Sequence, residues 1–149
     1  MFSVESVEML SEILQHNPHI PSVLDVEPIF KTGAAPAPEL VAALTELLLP
    51  SITVLSSTVP EVKALLDAAG VEIDYPKNME DVAIMAKTLQ NLGTENVIIK
   101  REIFDETSKM TTLHFILCGS VEPVTVSSRF ANPDGVTGAS YSIPRKYLK

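Results

Sequence analysis

Cysteine is almost absent from this chain: Cys118 is the only one among 149 residues. No disulfide framework can form within the chain, and a reducing compartment fits. Cys118 sits in an apolar run, where a buried structural thiol and a reactive one are both open readings. Basic runs are missing too. None is longer than Arg145-Lys146, and the formal net charge is −8. Nucleic acid and anionic membrane surfaces both demand clustered Lys and Arg, so neither is an expected partner. No apolar run approaches the ~20 residues that span a bilayer. The opening MFSVESVEML is acidic, so no signal or transit peptide is expected and a cytoplasmic location is the default. His16, His19 and His114 lack ligand spacing, and Ser140 and Ser142 have no base nearby. No repeat or low-complexity tract appears. The length suits one domain, and the apolar content of 46% is enough for a core.

What is present reads as alternating helices and strands. Val4, Val7, Leu10 and Leu14 recur at helical steps over residues 3–15, with Ser3 as a cap. Asn17-Pro18 ends that helix. Val23-Leu24 is a short strand leading to Asp25. Residues 26–38 hold three prolines and Gly33 and are expected to be a loop, long for its place and therefore a candidate for function. A helix is predicted over 39–49, a strand over 52–55, and a helix over 60–69 closed by Gly70. Asn78 starts a further helix, with Asp81 at the capping-box position and Val82, Met85, Ala86 and Leu89 inward. Val97, Ile98 and Ile99 form a buried strand. Strands over 111–117 and 121–126 are expected to pair through Gly119-Ser120. Residues 129–135 read as a polar loop, and 137–147 as the start of a helix cut short by Pro144. The alternation argues an α/β fold with a mostly parallel sheet and helices on both faces, plus a carboxyl-terminal β-hairpin. Its abrupt end argues an incomplete domain, and an uncovered edge and face favour association with a second copy or a partner chain.

The most informative block is Leu47–Leu66, LLLPSITVLSSTVPEVKALL. Pro50 stops one helix. A short apolar strand then delivers Ser56, Ser57 and Thr58 to a helix start with Pro60 and Glu61 in its first turn. Open α/β sheets place ligands at such strand ends, and a helix N-terminus can take a phosphate. A well-capped helix behind an ordinary turn accounts for the same residues.

That block, together with NMEDVAIMAKTLQNLGTENVIIK and the tail DGVTGAS, resembles the carboxyl-terminal half of the ribokinase-like small-molecule kinases. Within that superfamily the chain is similar to the hydroxymethylpyrimidine/phosphomethylpyrimidine kinases of thiamine biosynthesis, from Met1 to about Ser142. The resemblance implies an ATP-dependent phosphotransferase using Mg2+, with a small pyrimidine as substrate. It implies Asp25 and Glu61 as the metal-side carboxylates and Lys100 as the lysine on the nucleotide side. It places Thr58 in the phosphate-side turn, and Thr137 and Gly138 in the glycine-rich anion hole that opens the last helix. These residue types suit phosphoryl transfer, which needs positioning and charge stabilisation more than covalent chemistry.

The same resemblance exposes departures. Val26-Glu27-Pro28 stands where the family has Pro-Val-Met. Ser56-Ser57-Thr58 replaces Thr-Pro-Asn, and Arg101-Glu102 replaces a glycine pair. Val136 replaces the first anion-hole glycine, and Ala139 replaces the reactive cysteine. The family's amino-terminal half, which supplies most of the pyrimidine pocket, has no counterpart in these residues. The expectation is a kinase-family chain that is catalytically impaired by itself, the alternative being a non-catalytic remnant or binding subunit.

Overall fold

The computed structural model describes residues 2–31, 35–120 and 122–135. Helix α1 spans Val4–His16, and the Ser3 hydroxyl accepts from the Ser6 amide at 3.3 Å to cap it. Strand β1 (Val23–Asp25) is followed directly by a one-turn helix, α2 (Glu27–Phe30), inside the segment expected to be loop. Helix α3 (Pro38–Ala43) runs on into a π-helical turn, Leu44–Leu48, and a 3₁₀ turn, Leu49–Ser51. Strand β2 is Val54–Thr58, helix α4 Val59–Ala68 and helix α5 Met79–Gln90. Three strands close the order: β3 (Asn96–Asp105), β4 (Met110–Cys118) and β5 (Val124–Ala131).

The irregular turns around Pro50 have a physical cause. Pro50 offers no N–H to the preceding turn, so the regular helical ladder breaks off there. Ser11 on α1 donates its hydroxyl to the Leu47 carbonyl at 2.7 Å, and Thr94 donates to that of Leu49 at 3.2 Å. Helix α1 is thereby fastened to the centre of the domain through a buried polar contact. Gly93, past the end of α5, packs on the same proline. Its φ is +116°, and a Cβ there would lie 3.1 Å from the Pro50 Cα. Only glycine meets both conditions.

The sheet order is β1-β2-β3-β4-β5. β1, β2 and β3 run parallel, while β3–β4 and β4–β5 are antiparallel, so the sheet is mixed, with the parallel part expected from the sequence. Chain order equals strand order, and right-handed crossovers then bring successive helices to one face. Burial follows suit. Leu55, Val97 and Cys118 are register partners, as are Ser57, Ile99 and Ile116, and all six are buried. These pack with Leu44, Leu48, Leu65, Leu66, Met85 and Leu89 in one core. The alternate residues stand on the opposite face. There Phe115 and Ile98 are half-buried, and Leu117, Val124 and Val126 are exposed. The expected cover of helices on that second face is not present among the described residues.

Three strands differ in their bounds from the sequence reading. β2 begins and ends later than predicted, so Ser56, Ser57 and Thr58 lie within the strand rather than in a turn. β3 continues through Arg101–Asp105 and turns at residues 106–109 into β4. That turn is held by the Asp105 carboxylate, which accepts from the Ser108 hydroxyl at 2.7 Å and the Thr107 amide at 2.9 Å. These bonds keep its pKa below the usual range, the Ser108 hydroxyl foremost. Residues 129–131 end β5 instead of forming a loop. The helix expected over 137–147 lies outside the described residues.

Candidate functional site

The carboxyl ends of β1 and β2 and the middle of β3, where its parallel pairing ends, meet at one charged cluster. Asp25 is the register partner of Ser56, and Thr58 that of Lys100. Alternation then puts Asp25, Ser56, Thr58 and Lys100 on the face that the helices leave open. Lys100 reaches back across β2, and its Nζ lies 3.8 Å from Asp25 Oδ1. The same ammonium group donates to Glu27 Oε2. Glu27 is presented by α2, whose start is pinned to the sheet: the Val26 amide donates to the Ser56 carbonyl at 3.1 Å, and the Val26 side chain is fully buried. Asp25 Oδ1 also accepts from the Glu27 amide at 3.2 Å.

Glu27 has a second cationic partner, Lys31, which donates to its other oxygen, Oε1. Burial acts to raise the Glu27 pKa. Hydrogen bonds and charge from Lys100 and Lys31 outweigh it and hold the carboxyl below its ordinary value. The Lys31 ammonium is raised, first by the hydrogen bond to Glu27. Burial opposes this, while the charges of Glu27, Glu61 and Glu102 add to it.

Glu61 is buried at the start of α4. Its Oε2 accepts from the Thr58 amide at 2.7 Å and from the Ser57 hydroxyl at 3.2 Å. That is the helix-to-cap half of a capping box, so the capped-helix reading of the Leu47–Leu66 block describes this carboxylate well. Its charge still acts on Lys31, which keeps it at the margin of the cluster. The structure therefore brings Asp25, Thr58, Glu61 and Lys100 to the end of the parallel part of the sheet. Thr137, Gly138, Val136 and Ala139 lie outside the described residues.

Glu27, Lys31 and the short helix that carries them were not singled out as site residues by sequence reasoning, although Glu27 was noted as a departure. The available signal was the pairing of a carboxylate and a lysine four residues apart beside a strand end. Arg101 does not enter the cluster. It faces the helix side, where Nη1 lies 3.8 Å from Met79 Sδ. His114 bonds the Ser127 hydroxyl at 2.6 Å on the sheet surface. Cys118 is buried, and its thiol is pushed up in pKa chiefly by burial, so the structural reading of this thiol holds. A cleft of about 440 Å³ between the end of α4 and the start of α5 is lined by Asp74, Tyr75, Lys77 and Asp81, among others. None of its lining residues belongs to the strand-end cluster.

Among the described residues no three His, Cys, Asp or Glu side chains form a ready metal cage. Mg2+ on a phosphate ligand needs only one or two carboxylates beside water and phosphate oxygens. Asp25, with its side chain about half exposed, fits that lesser role. Glu61 has one oxygen committed to two donors, which leaves the other for a water-mediated contact.

This mixed α/β sheet, with its helices packed on one face, is a fold shared with small-molecule kinases. Solved structures of three such kinases illustrate the likeness. The phosphomethylpyrimidine kinase of Clostridium difficile matches with a TM-score of 0.63 at 20% identity, over 86% of this chain and 50% of that one. The pyridoxal kinase of Bacillus subtilis, solved as an ADP complex, matches at 0.64 and 21% over 85% and 43%. That of Staphylococcus aureus with AMP-PCP matches at 0.67 and 17% over 86% and 43%. Residues 1–142 match the phosphomethylpyrimidine kinase family, and the chain belongs to that family. It is 36% identical over 101 residues to the hydroxymethylpyrimidine/phosphomethylpyrimidine kinase of Haemophilus influenzae, covering 66% of this chain and 35% of that protein. The chain thus spans about a third to a half of the length of these relatives.

Proposed function

We propose that this chain carries the nucleotide-side half of a kinase acting on hydroxymethylpyrimidine or its monophosphate. The observation that supports this is the meeting of Asp25, Thr58 and Lys100 where the parallel pairing of β1, β2 and β3 ends, in a chain of this family. In this reading Lys100 neutralises charge on the phosphates of ATP, and Asp25 holds their Mg2+. Glu61 fixes the start of α4 and reaches the metal through water. Thr58 lines the phosphate side, with Thr137 and Gly138 as anion-hole donors. Mg2+ would supply charge neutralisation and alignment of the phosphates.

A second reading is a non-catalytic relative that binds ligand or partner. One observation and one implication of the resemblance favour it for the chain by itself. Lys100 is engaged by two carboxylates of the chain. The resemblance implies Ala139 at the family's reactive position, and an alanine has no group to take or give a proton. The expected result is therefore ATP binding with little turnover. Magnesium-dependent ADP release with hydroxymethylpyrimidine, and separately with pyridoxal, tests this on the purified chain. Robust turnover with either substrate would overturn the impaired reading.

A further inference from the structure

Glu27 is held between two ammonium groups, Lys31 on one carboxylate oxygen and Lys100 on the other. Two lysines converging on one anion form an arrangement that suits a phosphate. We propose that Glu27 stands in, from within the chain, for a phosphate group at Lys100, and that a di- or triphosphate ligand must displace its carboxylate to bind. The proposal deepens the nucleotide reading above and rests on it.

Three features make the stand-in effective. First, it is sheltered: the Lys100 and Glu27 side chains are only 22% and 23% exposed, against 48% for Asp25. Charge pairing is stronger where water is partly excluded. Second, it is preorganised. Burial of Val26 and its amide bond to Ser56 fix the turn that aims Glu27, so little ordering cost remains. Third, the cluster is anionic as built. Asp25, Glu27 and Glu61 outnumber Lys31 and Lys100, and the charge of Glu102 also acts on Lys31. A polyphosphate approaching it meets repulsion until Glu27 is moved or neutralised. Glu27 sits in the Val26-Glu27-Pro28 departure noted above, so this residue sets how tightly this particular chain holds the ligand.

The test is calorimetric titration of ADP, and separately of inorganic pyrophosphate, at fixed Mg2+. The proteins are the unaltered chain, Glu27→Gln, Glu27→Ala and Glu27→Gln combined with Lys100→Ala. Thermal melts establish that each is folded, and the two Glu27 variants guard against a failure of either. Removing the competing carboxylate is expected to tighten both ligands about tenfold, and the gain is expected to vanish when Lys100 is also removed. Equal affinity in the unaltered chain and both Glu27 variants, lost on Lys100→Ala, would overturn the proposal and leave the nucleotide reading intact. No binding by any of the proteins would overturn both.

Discussion

Lys100 on β3 and Asp25 on β1 face each other at 3.8 Å although a whole strand, β2, lies between their backbones. Neighbouring strands are about 4.8 Å apart, so the long lysine stem must lie back over Ser56 and Thr58 to make the contact. The contact joins the first and third strands of the parallel part of the sheet. It also dictates which residues respond when the lysine is changed.

Replacing Lys100 with Met keeps the stem and removes the charge. Glu27 then loses one of its two cationic partners, and its pKa is expected to move up toward the ordinary 4.5 from its lowered value. The folded-state pKa of Glu27 lies below the unfolded one. Its contribution to stability is therefore fully present above about pH 5 and is lost as the pH falls through the lowered folded value. The melting temperature of the unaltered chain is expected to drop in that acid window, and that of Lys100→Met less steeply. Carbon-detected NMR titration of the glutamate carboxyls, with melts at several pH values, checks both.

Glu61 separates a capping role from a metal role. Glu61→Ala leaves the part-buried Thr58 amide without its acceptor and the Ser57 hydroxyl with only the Thr58 carbonyl, and is expected to cost about 1–3 kcal/mol. Glu61→Gln keeps an oxygen acceptor for the Thr58 amide and is expected to cost less than half as much. If the carboxylate also serves Mg2+, the glutamine variant keeps its melting temperature but needs more Mg2+ for nucleotide binding. Equal Mg2+ dependence in the two proteins would remove Glu61 from the metal side.

Gly93 carries a prediction of stability alone. A methyl group there meets the Pro50 backbone, and the positive φ disfavours any L side chain. Gly93→Ala is expected to destabilise by about 1–3 kcal/mol in urea unfolding. Gly70, also at positive φ but with open space around it, is expected to lose only about 1 kcal/mol.

The open sheet face predicts association. Leu117, Val124 and Val126 lie exposed on it beside half-buried Phe115, and β1 ends the sheet with an unpaired edge among the described residues. Sedimentation velocity is expected to show concentration-dependent self-association, reduced by Val124→Lys with Val126→Lys. A monodisperse monomer across the range would count against it.

The sequence made the elements with strong local signals legible. Ser3 and Asn78 mark helix starts, Gly70 and Gly93 mark ends, and continuous Val97-Ile98-Ile99 marks a strand. It also made the family legible through the order of those junctions. Less legible was whatever depended on pairing. Arg101–Asp105 carries charge on both faces and lacks a clean alternation, so only its long register with β4 reveals it as strand. Ser56, Ser57 and Thr58 look like a turn because short polar residues favour turns. Parallel pairing makes them a strand instead, with β1 and β3 on either side of Ser56 and with β3 alone at Ser57 and Thr58. The site was half legible for the same reason. Asp25, Glu61 and Lys100 were expected through the family resemblance, and they lie near one another, but the Glu27–Lys100 pair joins residues 73 apart, which no local pattern reports.

Coincidence of strand order with chain order has a kinetic side. β3, β4 and β5 form a meander whose turns are a few residues long, whereas β1 and β2 must wait for intervening helices before they can pair. Closing a long loop costs more entropy than closing a short turn. In a chain emerging from synthesis or refolding from denaturant, the ribbon is thus expected to form early. The ion pairs around Lys100 form only when the parallel strands have arrived, so assembling the charged cluster and completing the fold become the same late event.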